Sequence, residues 1–310
     1  MNRYFPLALV ITLTTAALFP LMTYAETDDE LKRISYQSRA TGEVREFFLY
    51  LPEGYRENAD VDAGSDKWPV MLFLHGNGER GDGKDELDFV MMHGPLYEAW
   101  VQKRDLPFII ISPQLPMYGM DELDYIANRD ASDIPRRQAD GVPDRQQPSV
   151  PDYPMNGVGS PDEMSYPTQG PPDGWYRLED DLLDILDMVL ETYQADPGRV
   201  YITGISYGGF GTWYMAENHP GRFAAMAPVV GYGHPDAVSD IAEYRIPVWC
   251  FSGGRDAVVE PHYFYPAMNK LQELGHDSIR LTNHEDMGHD VWRRVYAGRD
   301  IYDWLLSHSR

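Results

Sequence analysis

A serine in the pentapeptide Gly204-Ile205-Ser206-Tyr207-Gly208 is the side chain of this sequence best placed to attack an electrophilic carbon. The stretch before it, Arg199-Val200-Tyr201-Ile202-Thr203, reads as a buried strand, and residues 207–218 read as a helix. A serine on a sharp strand-to-helix turn takes strained φ/ψ values, and its flanks must be small so that neighbouring backbone can pass close by. Gly204 and Gly208 meet that need, while Gly209 and Gly211 let the new helix lie tight against a sheet. The helix N-terminus at Tyr207 brings a positive dipole end and free N–H groups to the reacting oxygen.

A hydroxyl is a weak nucleophile until a base takes its proton. Of nine histidines, His289 is the candidate base, in the loop Met287-Gly288-His289-Asp290 between the last expected strand and the C-terminal helix. An imidazole in that role needs a carboxylate to hold its tautomer. Asp256, in Ser252-Gly253-Gly254-Arg255-Asp256, follows the preceding buried strand and is the candidate acid. Asp286 and Asp290 are rivals, set aside because near neighbours of a loop histidine rarely fold back onto its Nδ1. The resulting chain order, Ser206 then Asp256 then His289, is that of α/β hydrolases and not of trypsin-like or subtilisin-like enzymes. Acyl transfer also needs donors for a developing oxyanion. The backbone N–H of Tyr207 is one; the loop His75-Gly76-Asn77-Gly78-Glu79-Arg80-Gly81 supplies the other, at Asn77 or alternatively Gly78. No Gly-Lys-Ser/Thr follows that loop, so it does not read as a phosphate cradle.

The elements that must position these residues alternate along the chain. A hairpin is expected over 34–51 around Thr41-Gly42, with buried strands at 70–74, 108–112, 200–203, 225–230 and 248–252 and a last strand at 279–282. Helical spacing marks 85–103, broken at Gly94-Pro95, then 178–193, 207–218, 263–274 and 291–308. Strands alternating with helices imply an α/β fold: a mostly parallel sheet with helices on both faces. Residues 116–174 break the rhythm, holding ten of the chain's 24 prolines amid acidic and polar residues. The segment leaves the end of one strand and returns just before a helix, the edge at which such sheets bind ligands. It reads as a lid or rim that sets substrate choice, or else as a mobile acidic loop with no part in binding.

Composition narrows the partners. The 310 residues carry 26 Lys+Arg against 49 Asp+Glu, a net charge of −23, which repels phosphate backbones and anionic membranes. Residues 1–25 show one charge, Arg3, an apolar run from Leu7 to Leu21 and small residues before Ala25. That pattern predicts a secretory signal peptide cleaved after Ala25, a mature domain over 26–310, and a secreted or periplasmic location; a membrane anchor is the alternative. Cys250 is the single cysteine, so no internal disulfide forms, and its apolar neighbours place it in a strand rather than in catalysis. His284-Glu285-Asp286 is a polar loop rather than an ion site, no H-E-x-x-H or dinucleotide fingerprint occurs, and neither metal nor cofactor is expected.

The strings Leu74-His75-Gly76-Asn77-Gly78-Glu79-Arg80-Gly81, His93-Gly94-Pro95, Ser112-Pro113-Gln114 and Gly204-Ile205-Ser206-Tyr207-Gly208-Gly209 resemble the α/β-hydrolase branch of predicted peptidases and esterases. That branch is similar to polyhydroxybutyrate depolymerase-like esterases, feruloyl esterases and dienelactone hydrolases. The resemblance runs over 34–306, interrupted by 116–174, and implies the same triad and an oxyanion donor in the His75-Gly76-Asn77 turn. It also implies that Gln114 and Trp175 border the substrate pocket, with structural packing as the other reading. The expectation is a carboxylic ester hydrolase acting on a small-molecule or polymer-derived ester, with no nucleic-acid partner and no stable membrane insertion. A peptidase of prolyl-oligopeptidase type is an alternative, disfavoured because this sequence leaves no length for a gating propeller. A non-catalytic ligand-binding protein of the same fold is another, disfavoured by the intact triad.

Overall fold

A computed structural model describes residues 30–56, 67–148, 150–152, 154–155 and 159–310. The expected signal peptide lies outside the described residues. The described residues form eight strands, β1 (Leu31–Gln37), β2 (Val44–Tyr50), β3 (Trp68–Leu74), β4 (Ile109–Ser112), β5 (Ala195–Ile205), β6 (Ala225–Val229), β7 (Val248–Gly253) and β8 (Ile279–His284). They form one sheet in the order β1-β2-β4-β3-β5-β6-β7-β8. The hairpin β1–β2 and the β2–β4 pair are antiparallel; every other pair is parallel. Gly42, at φ 73°, turns the hairpin where Thr41-Gly42 predicts it.

Side chains alternate across the sheet, so the apolar strands feed two cores. Val70, Leu72 and Leu74 point to one face, under the helix Glu179–Thr192, whose Leu182, Ile185, Leu186 and Val189 recur at helical spacing. Met71 and Phe73 point to the other, against Phe108, Tyr201, Tyr296, Tyr302 and Leu305. Glu179, Asp180 and Asp181 sit in the first turn of the Glu179–Thr192 helix, where the dipole favours negative charge. Asp181 is itself buried and accepts from Ser38 Oγ (2.5 Å) and Arg39 N (2.6 Å), fastening the hairpin turn to that helix.

Two helical expectations are revised. Residues 85–103 break where Gly94-Pro95 predicts, but the pieces are short turns over Leu87–Met91, Gly94–Leu96 and Tyr97–Val101. Gly94 has φ 83°, and a Cβ there would lie 2.2 Å from the Phe73 ring, so no helix passes through it. The expected helix over 291–308 is also two, Trp292–Ala297 and Asp300–Leu306, because Gly298 is extended at φ −73°, ψ 165°. Cys250 is buried in β7, where burial raises its thiol pKa. Among the described residues no helix is long and apolar enough to cross a membrane, and no cluster of three or more His, Cys, Asp or Glu is arranged to hold a metal.

Candidate active site

β5 runs directly into Ser206, which sits at φ 51°, ψ −116°, outside the regions that side chains ordinarily occupy. The Ser206 N–H donates to Val229 O at 2.9 Å, and Phe210 N–H donates to Ser206 O at 3.1 Å, opening the helix Tyr207–Asn218. The turn is possible only because its flanks lack side chains. A Cβ on Gly208 would lie 1.8 Å from Leu74 O, and one on Gly204 would lie 2.4 Å from Gly208 O. Gly209 and Gly211 press against Val229 O and Trp175 in the same way, which seats the helix on the sheet.

Base and acid arrive from β8 and β7, and glycines again govern the approach. A Cβ on Gly253 would lie 2.2 Å from Gly288 O, and one on Gly254 would lie 2.6 Å from Glu285 Cα. The two loops are zipped by Gly254 N–H to His284 O (2.8 Å) and Arg255 N–H to Met287 O (2.9 Å). His289 Nδ1 then lies 2.8 Å from Asp256 Oδ2, and its Nε2 lies 3.0 Å from Ser206 Oγ. Asp256 is fully buried, and its other oxygen accepts from the N–H groups of Val258 (2.8 Å) and Val259 (2.9 Å). Trp292 packs edge-on to the His289 ring at 5.2 Å. Asp286, the first rival acid, forms a two-pronged ion pair with Arg294 (2.7 and 2.6 Å) that holds its carboxyl down at about 2. Asp290, the second, lies 3.9 Å from Arg293.

The expected donor loop leaves β3 beside the serine turn. Leu74 pairs with Gly204, so Asn77 and Tyr207 each lie three residues beyond paired positions on adjacent parallel strands. Both begin helical turns, Asn77–Glu79 and Tyr207–Asn218, whose first N–H groups have no acceptor within the turn. His75 is buried; its Nδ1–H donates to Gly76 O (2.6 Å), its Nε2 accepts from Leu115 N–H (2.9 Å), and burial lowers its pKa to about 3. Neutral His75 is therefore a brace for the loop, not a second base.

Gln114 and Trp175 lie inside the fold, which corrects their expected place at the pocket. Gln114 is fully buried: its amide donates to Glu79 O (2.9 Å) and Glu86 O (2.7 Å) and accepts from Gly83 N–H (2.8 Å). With both donors and its oxygen engaged, it crosslinks the loop after β3 instead of meeting a ligand. Trp175 is 1% exposed, donates Nε1–H to His75 O (3.1 Å) and stands edge-on to the His75 ring.

Other residues at the site have no role that the sequence assigns. Arg80, within the loop after β3, is fully buried. Glu79, also buried, lies 3.7 Å from His93 Nε2 and 3.9 Å from His75 Nδ1; burial pushes its carboxyl up to about 7 and lowers His93 to about 4. The 116–174 segment reaches the same edge. Its Tyr125 hydroxyl accepts from Asn77 Nδ2, its Arg129 donates to Gly78 O (3.0 Å), its Arg145 pairs with buried Glu98, and its Pro151 packs beside Gly288. The string Glu79-Arg80-Gly81 was legible as a motif, but buried charge cannot be read from one sequence.

The sheet order, the serine turn at the end of β5, and the loops after β7 and β8 together define an α/β-hydrolase fold. Comparison with known proteins agrees. The model of the prolyl oligopeptidase family matches residues 177–244, the stretch that holds the serine turn. Poly(3-hydroxyalkanoate) depolymerase C of Paucimonas lemoignei is 36% identical over 72 residues, 23% of this chain and 16% of that one. Acylamino-acid-releasing enzyme 2 of Oryza sativa subsp. japonica is 36% identical over 83 residues, 26% of this chain and 11% of that one. The matched segments thus span less than a fifth of either curated relative. Among solved structures, a thermostable esterase superposes with TM-score 0.57 at 22% identity, covering 91% of this chain and 64% of that one. A dienelactone hydrolase-like protein from Klebsiella pneumoniae superposes at 0.52 and 15% identity, covering 89% and 95%. At such identities the likeness is one of fold.

Proposed function

We propose that this chain is a serine hydrolase of carboxylic esters, working through an acyl-enzyme intermediate. The observation that carries the reading is His289 set between Ser206 Oγ, 3.0 Å from Nε2, and Asp256 Oδ2, 2.8 Å from Nδ1. Ser206 Oγ attacks the ester carbonyl carbon while its proton passes to His289 Nε2. The Asp256 carboxylate accepts the Nδ1–H bond and stabilises the imidazolium. The N–H groups of Tyr207 and Asn77 donate to the oxyanion. When the C–O bond breaks, His289 returns the proton to the leaving alkoxide; it then takes a proton from water as the water oxygen attacks the acyl carbon, and hands that proton to Ser206 Oγ as the acyl–Oγ bond breaks, freeing Ser206 and the acid.

The ester class is supported by the names of the similar proteins, a polyester depolymerase and an esterase among them. A peptidase reading draws on the prolyl oligopeptidase family match over residues 177–244, which hold the serine turn, and on the acylamino-acid-releasing relative, which aligns over 83 residues. Export is part of the proposal, and the mature protein should begin at Glu26. A fluorophosphonate probe should label the purified chain, and Ser206→Ala should abolish labelling. Labelling that persists in Ser206→Ala refutes the nucleophile; none in the wild type favours a ligand-binding protein. Hydrolysis of p-nitrophenyl acetate beside a panel of aminoacyl amides then decides between ester and peptide.

A further inference from the structure

We propose that Arg80 is a positioning residue that ties the 116–174 insert to both oxyanion donors, so that the insert governs the rate of acyl transfer and not substrate choice alone. The inference rests on the serine-hydrolase reading above. Arg80 has no exposed surface. Its Nη1 donates to Pro116 O at 2.7 Å and its Nη2 donates to Asp173 O at 2.8 Å, so one guanidinium clamps the two ends of the insert. Its Nε donates to Asn77 Oδ1, and its plane lies over the Tyr207 ring with 4.9 Å from Cζ to the ring centre. Both residues whose N–H groups would meet the oxyanion are therefore held by the side chain that closes the insert.

The insert grips the same loop from its other side. Tyr125 accepts from Asn77 Nδ2, while Arg129 donates to Gly78 O and Arg80 O, pairs with Glu86 and lies 3.9 Å above the Phe89 ring. Asn77 thus has its side-chain oxygen on Arg80 and its side-chain nitrogen on the insert. The loop needs such restraint because Gly76, Gly78 and Gly81 leave its backbone free to choose other conformations. A misaimed oxyanion donor loses about 10²–10³ in turnover. Lysine cannot substitute, since an ammonium does not present the planar fork that reaches two carbonyls and an amide oxygen in fixed directions.

The test compares wild type, Arg80→Lys and Tyr125→Phe, with Ser206→Ala alongside. The readouts are kcat and KM for p-nitrophenyl acetate, thermal midpoint, and hydrogen exchange of residues 76–81. Arg80→Lys should lower kcat by about 10–100-fold with KM within about threefold, and should speed exchange in that loop. Tyr125→Phe changes a side chain at an exposed position, 58% accessible, so it should fold and lower kcat by a smaller factor in the same direction. Turnover within about twofold of wild type in both variants, or loop exchange unchanged in Arg80→Lys, overturns the inference. If Arg80→Lys fails to fold, Tyr125→Phe alone decides. If the wild type hydrolyses no ester, the functional reading falls, and the exchange measurement still decides whether Arg80 holds the loop.

Discussion

Replacing Asp256 by Asn should abolish turnover while leaving the fold intact, and the structure says how. The carboxylate faces the N–H groups of Val258 and Val259 on Oδ1 and that of His289 on Oδ2. An amide has one oxygen to offer. Two backbone donors at 2.8 and 2.9 Å oblige it to keep that oxygen on the Oδ1 side, because the reverse orientation would set an NH2 group against two buried N–H groups. The NH2 group then faces His289 Nδ1 and can only donate to it. His289 is thereby forced into the tautomer protonated at Nε2, which cannot accept the Ser206 proton. Loss of the correct tautomer costs about 10⁴ in kcat, equivalent to about 5 kcal/mol of barrier. Exchanging a charged acceptor for a neutral one costs about 1–3 kcal/mol of stability, small enough to leave a cooperative melt. The assay is kcat for p-nitrophenyl acetate with thermal unfolding in parallel, and Asp286→Asn as the control. Asp286 is tied to Arg294 and mostly exposed, so its variant should keep full turnover. Asp256→Asn within tenfold of wild type, or an equal loss in Asp286→Asn, would refute the assignment.

Two further outcomes follow from packing and charge. Gly208→Ala should unfold the serine turn, since its Cβ would overlap Leu74 O at 1.8 Å, whereas Gly221→Ala, with open space around it, should be silent; a melt of Gly208→Ala within about 2 °C of wild type would contradict this. Burial lowers His75 to about 3 and His93 to about 4, so below their ordinary 6.5 the unfolded chain takes up protons that the folded chain refuses. Their contribution to stability is full above pH 6.5 and falls as pH drops toward 4, by up to about 1.4 kcal/mol per pH unit for each histidine. Glu79, raised to about 7, works in the opposite direction from pH 4.5 upward, so the readout is a difference between variants. Urea unfolding of His93→Gln between pH 4.5 and 6.5 should show a slope shallower by about one proton; an unchanged slope would mean that His93 is protonated in the fold.

Much of this fold and site is legible in the sequence because it is encoded by near neighbours. Apolar runs bounded by turn residues mark the strands, and the 3.6-residue spacing of Leu182, Leu186 and Val189 marks a helix, whatever lies across from them. Ser206 between Gly204 and Gly208 is likewise a local statement: a turn that lets backbone pass within contact distance admits no Cβ, and those glycines record the constraint. The order Ser206, Asp256, His289 follows from which strand each loop leaves.

What the tertiary structure alone decided are the contacts between residues far apart in sequence. Chain order already favours Asp256 as the acid; the tertiary structure supplies the contact itself, because β7 and β8 pair in a register that sets Gly253 beside His284, and because Arg294 occupies Asp286. Gln114 and Trp175 turn inward to brace the loop after β3, the packing reading, although the family resemblance implies a pocket wall. Arg80 gathers both ends of the insert, although nothing in its neighbours announces a fully buried charge. Each of these depends on where a side chain points after the sheet has assembled, and that direction is set by strand register and loop closure, not by the residue's own type. Ser206 can therefore be found from its pentapeptide, while the groups that aim and restrain the atoms around it are fixed only when distant strands come together.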